Sequence, residues 1–108
     1  IFKLKEKQIP EFDLMLLGIG IDGHLASLFP NSDELNSSDL CVKTSSSEHN
    51  HPRISMTLNL INNSLCNLFI SNGEQKSKLI YGTNAKNHNI PFSLVNFNKT
   101  NTEWLINE

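Results

Sequence analysis

The chain is poor in cysteine and arginine, and it has no long apolar run. Its two cysteines, Cys41 and Cys66, lie 25 positions apart, so there is no CxxC pair to hold a metal or act as a dithiol couple. Both sit in apolar surroundings and are expected as reduced residues in or near the core of a cytoplasmic protein. No apolar stretch approaches the ~20 residues needed to span a bilayer. The lysine-rich opening, Ile1 to Lys7, lacks the apolar region of a signal peptide. Charge of one sign is also missing. Nine basic residues meet eleven acidic ones, the net charge is -2, and Arg53 is the only arginine. A nucleic-acid partner would call for a clustered basic face, which this balance does not supply. His49 and His51 lie close together in a polar stretch, but no cysteine or carboxylate stands at a spacing that would complete a metal site.

At 108 residues there is room for one small domain. Residues 1–8 read as the tail of a helix or as an extended segment stopped by Pro10. Residues 13–18 form a continuous apolar run, the mark of a strand buried on both faces of a parallel sheet. Residues 23–29 read as a short helix ended by Pro30, and 31–39 as a polar loop. A short strand is expected at 40–44, a polar segment with little to pack at 45–52, and a strand at 53–58. Leu58, Ile61 and Leu65 stand at helical spacing. A second buried-type strand follows at 65–71, then an amphipathic helix at 74–81 closed by Gly82 as its C′ residue. Residues 84–89 read as a loop, 91–95 as a short helix and 102–106 as a last strand. Strands alternating with helices imply an α/β layered domain with a mainly parallel sheet. Two strong central strands are few for such a sheet standing alone.

Glycine, scarce elsewhere, is concentrated: three of the five fall in Gly18-Ile19-Gly20-Ile21-Asp22-Gly23, directly after the first strand. In open α/β sheets ligands bind at the C-terminal ends of strands, and glycine lets the backbone come close to them. The segment satisfies G-x-G-x-x-G. However, Asp22 would repel a pyrophosphate, and no acid about 20 residues on ends a second strand, so a dinucleotide site is disfavoured. Asp22 is suited to cap a helix beginning near Gly23. His24 would then sit at a helix N-terminus, where the dipole disfavours imidazolium and leaves a general base. The residues alone leave two readings of this pair: catalytic acid and imidazole, or a cap beside a satisfied histidine. Arg53 opens a strand and could bind phosphate in bidentate fashion, or be an ordinary surface arginine. Lys76 lies in the first turn of a helix against the dipole preference, which a bound anion would explain and simple solvation would equally allow.

The run LLGIGIDGHLASLFP, residues 16–30, resembles the signature of the 6-phosphogluconolactonases within the glucosamine-6-phosphate isomerase/deaminase superfamily. Arg53-Ile54-Ser55-Met56-Thr57-Leu58 with Ile61-Asn62, then Phe69-Ile70-Ser71 with Gly73 and Lys76, resemble its following blocks. Pro91 to Val95 with Trp104 resembles its C-terminal pattern. The resemblance implies a three-layer, Rossmann-like sheet flanked by helices, of which residues 1–108 would be the C-terminal portion of a single domain. It implies hydrolysis of 6-phosphoglucono-δ-lactone to 6-phosphogluconate in the oxidative pentose phosphate pathway, with no metal or organic cofactor. His24 would be the general base and Asp22 its orienting acid. Gly20 and Gly23 would shape the substrate turn and its N–H groups would meet the oxyanion, while Arg53 and Lys76 would hold the phosphate or sugar. Deaminases of the superfamily carry a glutamate where this chain has Phe29, which cannot transfer protons, so a deaminase is the weaker alternative. The family's N-terminal phosphate loop and Asp-Glu-Arg segment are not found here. The expected partners are therefore a sugar-phosphate lactone and either an N-terminal half or further copies of the chain. Alone it would be weakly active or inactive, and a non-catalytic fragment binding a sugar phosphate or a partner half is the third alternative.

Overall fold

A computed structural model describes residues 8–46, 49–81, 90–95 and 101–107. The expectations for residues 1–7, Gly82 and the loop at 84–89 lie outside the described residues. Among the described residues, five strands form two sheets. β1 (Met15–Gly18), β4 (Cys66–Asn72) and β5 (Asn101–Asn107) make a parallel sheet in the order β1-β4-β5. β2 (Cys41–Ser46) and β3 (His49–Met56) make a separate antiparallel pair. The helices are α1 (Leu58–Ile61) and α2 (Glu74–Tyr81), with 3-10 turns at Asp33–Asn36 and Pro91–Leu94. The α/β class with a parallel sheet is thus as expected.

The core lies on one face of the parallel sheet. Leu17 and Phe69 are register partners, and both are buried there with Leu25, Leu28, Ile61, Leu79 and Phe92. Trp104, the next partner across the sheet, stacks on Phe69 with ring centroids 4.7 Å apart, and Phe92 meets Phe69 edge-on. Thr57 caps α1 by accepting from the Leu60 N–H at 3.2 Å, and its hydroxyl donates to the Asp39 carbonyl at 2.6 Å. Behind α1, Ser64 donates to the buried Asn67 side chain of β4 at 2.6 Å, and Asn67 donates to the Ile61 carbonyl, which locks the helix end to the sheet.

Four expectations are corrected. First, β1 is covered on one face only. Met15 and Leu17 are buried, whereas Leu16 is 59% exposed, because the described residues place their whole apolar cluster on the other side. Second, residues 23–29 are not a helix. Gly23 (φ 87°) and Ala26 (φ 51°) both take left-handed backbone, which cannot propagate a right-handed helix. Two tight turns result, held by isolated bridges Ile19–Leu25 and Leu25–Leu28, and they bury the leucines that were read as a helix face. Third, β3 begins at His49, so much of the expected polar segment at 45–52 pairs in a ladder with β2. Fourth, the loop at 31–39 contains a 3-10 turn at Asp33–Asn36, which turns the chain toward β2.

Candidate active site

β1 ends at Gly18, and the chain folds back over Gly20–Gly23. The Gly23 N–H donates to the Gly20 carbonyl at 2.9 Å, and the Gly20 N–H donates to the His24 carbonyl at 3.0 Å. Both glycines are required by what surrounds them. A Cβ at Gly20 would overlap the His24 imidazole, so only a bare backbone lets the ring lie where it does. Gly23 combines positive φ with a flank pressed against the Ile90 side chain, where a Cβ would also overlap. These bonds correct one expectation: the Gly20 and Gly23 N–H groups close the turn and are not free to meet an oxyanion.

Asp22 does cap the backbone, but it caps a turn. Its Oδ1 accepts from the His24 main-chain N–H at 3.0 Å and lies 2.6 Å from His24 Nδ1. Burial alone would push this carboxyl up. The hydrogen bonds from the His24 backbone and ring, with the imidazolium charge, outweigh that and hold it below its ordinary value of 3.8. An ionised carboxylate can only accept, so the hydrogen bond places a ring proton on Nδ1, and in the neutral form of the ring the lone pair is then on Nε2. The Phe29 ring lies 5.2 Å from the His24 ring, tilted by 49°, and is itself buried. The imidazole is therefore fixed by a carboxylate, a bare glycine and an aromatic wall, with its side chain 30% exposed.

An open cavity of about 340 Å³ lies beside it, lined by Gly18, Ile19, Gly20, His24, Ala26 and Lys76. Lys76 reaches it from the first turn of α2, just after the C-terminal end of β4. Two adjacent parallel strands thus deliver an imidazole and a cation to one cavity at the C-terminal edge of the sheet. Of the six candidate residues, Gly20, His24 and Lys76 line this cavity, and Asp22 touches it through His24. Gly23 lies behind the turn against Ile90 and Leu79. Arg53 is exposed on β3 and does not line the cavity. Among the described residues, no three His, Cys, Asp and Glu side chains gather as a metal site. No helix among them is long and apolar enough to cross a membrane.

Two site features escaped the sequence. Ser55, buried on β3, accepts from the Ser27 N–H at 3.0 Å and donates to the Met56 carbonyl at 2.8 Å. It therefore ties the loop after His24 to the β2–β3 hairpin. Its only signal was its place in the alternating segment Arg53 to Thr57, which puts Ser55 inward and leaves Ile54 81% exposed. Ala26 lines the cavity in a left-handed conformation that nothing in its sequence context announces.

The family model for glucosamine-6-phosphate isomerases/6-phosphogluconolactonase matches residues 1–104. A 6-phosphogluconolactonase of Haemophilus influenzae is 35% identical over 100 residues, which is 90% of this chain and 43% of that protein. A probable 6-phosphogluconolactonase of Arabidopsis thaliana is 43% identical over 74 residues, covering 67% of this chain and 28% of its own length. The crystal structure of 6-phosphogluconolactonase from Thermotoga maritima superposes with a TM-score of 0.76 at 32% identity, over 91% of this chain and 44% of that one. A monomeric glucosamine-6-phosphate deaminase shares the fold at 20% identity and a TM-score of 0.67. The chain spans less than half the length of each of these relatives. With the match running from the first residue into β5, the chain belongs to the glucosamine-6-phosphate isomerase/6-phosphogluconolactonase family.

Proposed function

We propose that the chain is the C-terminal half of a cytoplasmic 6-phosphogluconolactonase and carries the catalytic base of lactone hydrolysis. The observation that carries this reading is the 2.6 Å contact between Asp22 Oδ1 and His24 Nδ1 beside an open cavity with a lysine on its wall. With Nδ1 holding the proton, Nε2 takes a proton from a water molecule, whose oxygen adds to the lactone carbonyl carbon. The tetrahedral oxyanion collapses and breaks the bond to the ring oxygen. That oxygen leaves with the proton returned by the His24 imidazolium, giving the open-chain 6-phosphogluconate. Asp22 stays ionised throughout and holds the ring in one tautomer. Lys76 binds the phosphate or an adjacent sugar oxygen as a point charge. Arg53 is the second cation proposed for the substrate, acting from the hairpin that Ser55 fastens to the His24 loop. Gly20 and Gly23 act by shape, admitting the imidazole and closing the turn.

The relatives' greater length implies that the rest of the phosphate site comes from the half of the domain outside the match, so the chain by itself is expected to hydrolyse the lactone weakly or not at all. The deaminase alternative is disfavoured by Phe29, whose buried ring occupies the place of a proton-transferring glutamate. A fragment that only binds a sugar phosphate is the remaining alternative. Offering the chain, paired with the other half of a relative's domain, the lactone and glucosamine 6-phosphate separately tests all three. Acid release from the lactone above its spontaneous rate, without ammonia from the amino sugar, is expected. Ammonia release would overturn the preference for lactone, and binding without turnover of either would leave only the fragment reading.

A further inference from the structure

Lactone hydrolysis builds negative charge on the carbonyl oxygen, and the Gly20 and Gly23 N–H groups are both engaged elsewhere. The turns after His24 offer another donor. The Leu28 N–H donates to the Leu25 carbonyl at 2.8 Å, and the Leu25 N–H to the Leu28 carbonyl at 3.3 Å. That pairing leaves out the N–H groups of the two residues between, Ala26 and Ser27. Ser27 gives its N–H to the Ser55 hydroxyl at 3.0 Å, and the His24 N–H goes to Asp22. The Ala26 N–H donates to no partner among the described residues. Ala26 is exposed and shares the cavity wall with His24 and Lys76, whereas Ile19 on the same wall is buried. Its φ of 51° is the second observation. An alanine in left-handed backbone is strained, and such strain persists where the surroundings impose it, often at active sites. Here the Leu25–Leu28 pair and the Ser27–Ser55 bond impose it from both sides. An ordinary solvated turn amide needs neither the strain nor the anchor.

We propose that the main-chain N–H of Ala26 is the oxyanion donor of lactone hydrolysis. The inference rests on the lactonase reading above. As the water activated by His24 adds to the carbonyl carbon, the carbonyl oxygen takes up the negative charge, and the Ala26 N–H donates to it without giving up its proton. When the tetrahedral centre collapses, the electron pair returns to re-form the carbonyl and the bond to the ring oxygen breaks. A donor held in place before the reaction needs no reorganisation as the charge develops. Ser55 serves this donor indirectly: it fixes the Ser27 peptide next to it.

The test deletes this single N–H in the chain paired with the other half of a relative's domain. Ala26→lactic acid puts an ester oxygen in place of the amide N–H and keeps the methyl group. With the lactone as substrate, kcat should fall by about a hundredfold or more, while KM and the pH dependence set by His24 stay as in wild type. Ala26→Gly keeps the N–H and suits the left-handed angle, so kcat should stay within about threefold of wild type. A second measurement needs no variant. When 6-phosphogluconate is added, its carboxylate takes the place of the lactone carbonyl, and the Ala26 amide proton should move downfield and exchange more slowly with water. A wild-type kcat in the ester variant overturns the proposal, and so does a loss in Ala26→Gly as large as that in the ester. An Ala26 amide that stays unmoved while the product shifts the His24 ring resonances overturns it as well. A paired chain that hydrolyses no lactone, yet whose Ala26 amide responds to 6-phosphogluconate, contradicts the lactonase reading alone. An active one indifferent to the ester contradicts the Ala26 donor alone.

Discussion

His24 is held by three dissimilar neighbours, and each predicts a different failure. Asp22 holds the ring's Nδ1 proton, and its carboxyl titrates below 3.8 in the folded chain. A depressed carboxyl stabilises the fold fully above its ordinary value, and that contribution fades as pH falls through the lowered folded value. Both partners are partly exposed, so the effect is small, under about 1 kcal/mol. Urea unfolding of wild type and Asp22→Asn should therefore differ slightly at pH 6, and the difference should shrink at an acidic pH well below 3.8. Equal stabilities at both pH values would mean the pair contributes nothing. Gly20 acts by having no side chain. Gly20→Ala drives a methyl group into the imidazole and should displace it from Asp22, seen as altered His24 ring resonances. In the active assembly, a displacement of about 1 Å should lower turnover roughly a hundredfold. Unchanged His24 resonances would show that the ring does not need the bare backbone.

Among the elements, the strands were largely legible in the sequence and the loop that matters was not. β4 was legible as a buried-type strand at 65–71, and α2 matched its expected span of 74–81. Residues 23–29 misled because Leu25 and Leu28 stand three apart, a spacing that a helix and a pair of tight turns both satisfy. Positive φ at Gly23 and Ala26 decided for the turns, and tertiary contacts set those angles. The same contacts made Ser55 visible only in three dimensions. Ser55→Ala would leave the partly buried Ser27 N–H without this acceptor, a cost of about 1 kcal/mol. Chemical unfolding should register that loss, and Ser55→Thr should recover part of it. An alanine variant as stable as wild type would show that the hairpin does not hold the loop.

For the whole molecule, the chemistry was readable from a few residues, while the balance between buried and open surface was not. Leu16 and Leu17 are identical in sequence terms, yet one is open and the other buried, because the core cluster occupies a single face of the sheet. The resemblance that begins at residue 16 pointed to the family before any coordinates, and the geometry added the tautomer of His24 and the cavity shared with Lys76. It also set Arg53 apart from that cavity and removed two glycine N–H groups from the list of oxyanion donors. His24 is proposed as the base of lactone hydrolysis. Its most direct test is the rate of 6-phosphoglucono-δ-lactone hydrolysis by the assembled enzyme carrying either wild-type His24 or His24→Ala, with folding checked by circular dichroism. Wild type should accelerate hydrolysis over the spontaneous rate, and that acceleration should fall by at least about a hundredfold in the variant. A His24→Ala enzyme that hydrolyses the lactone at the wild-type rate would contradict it.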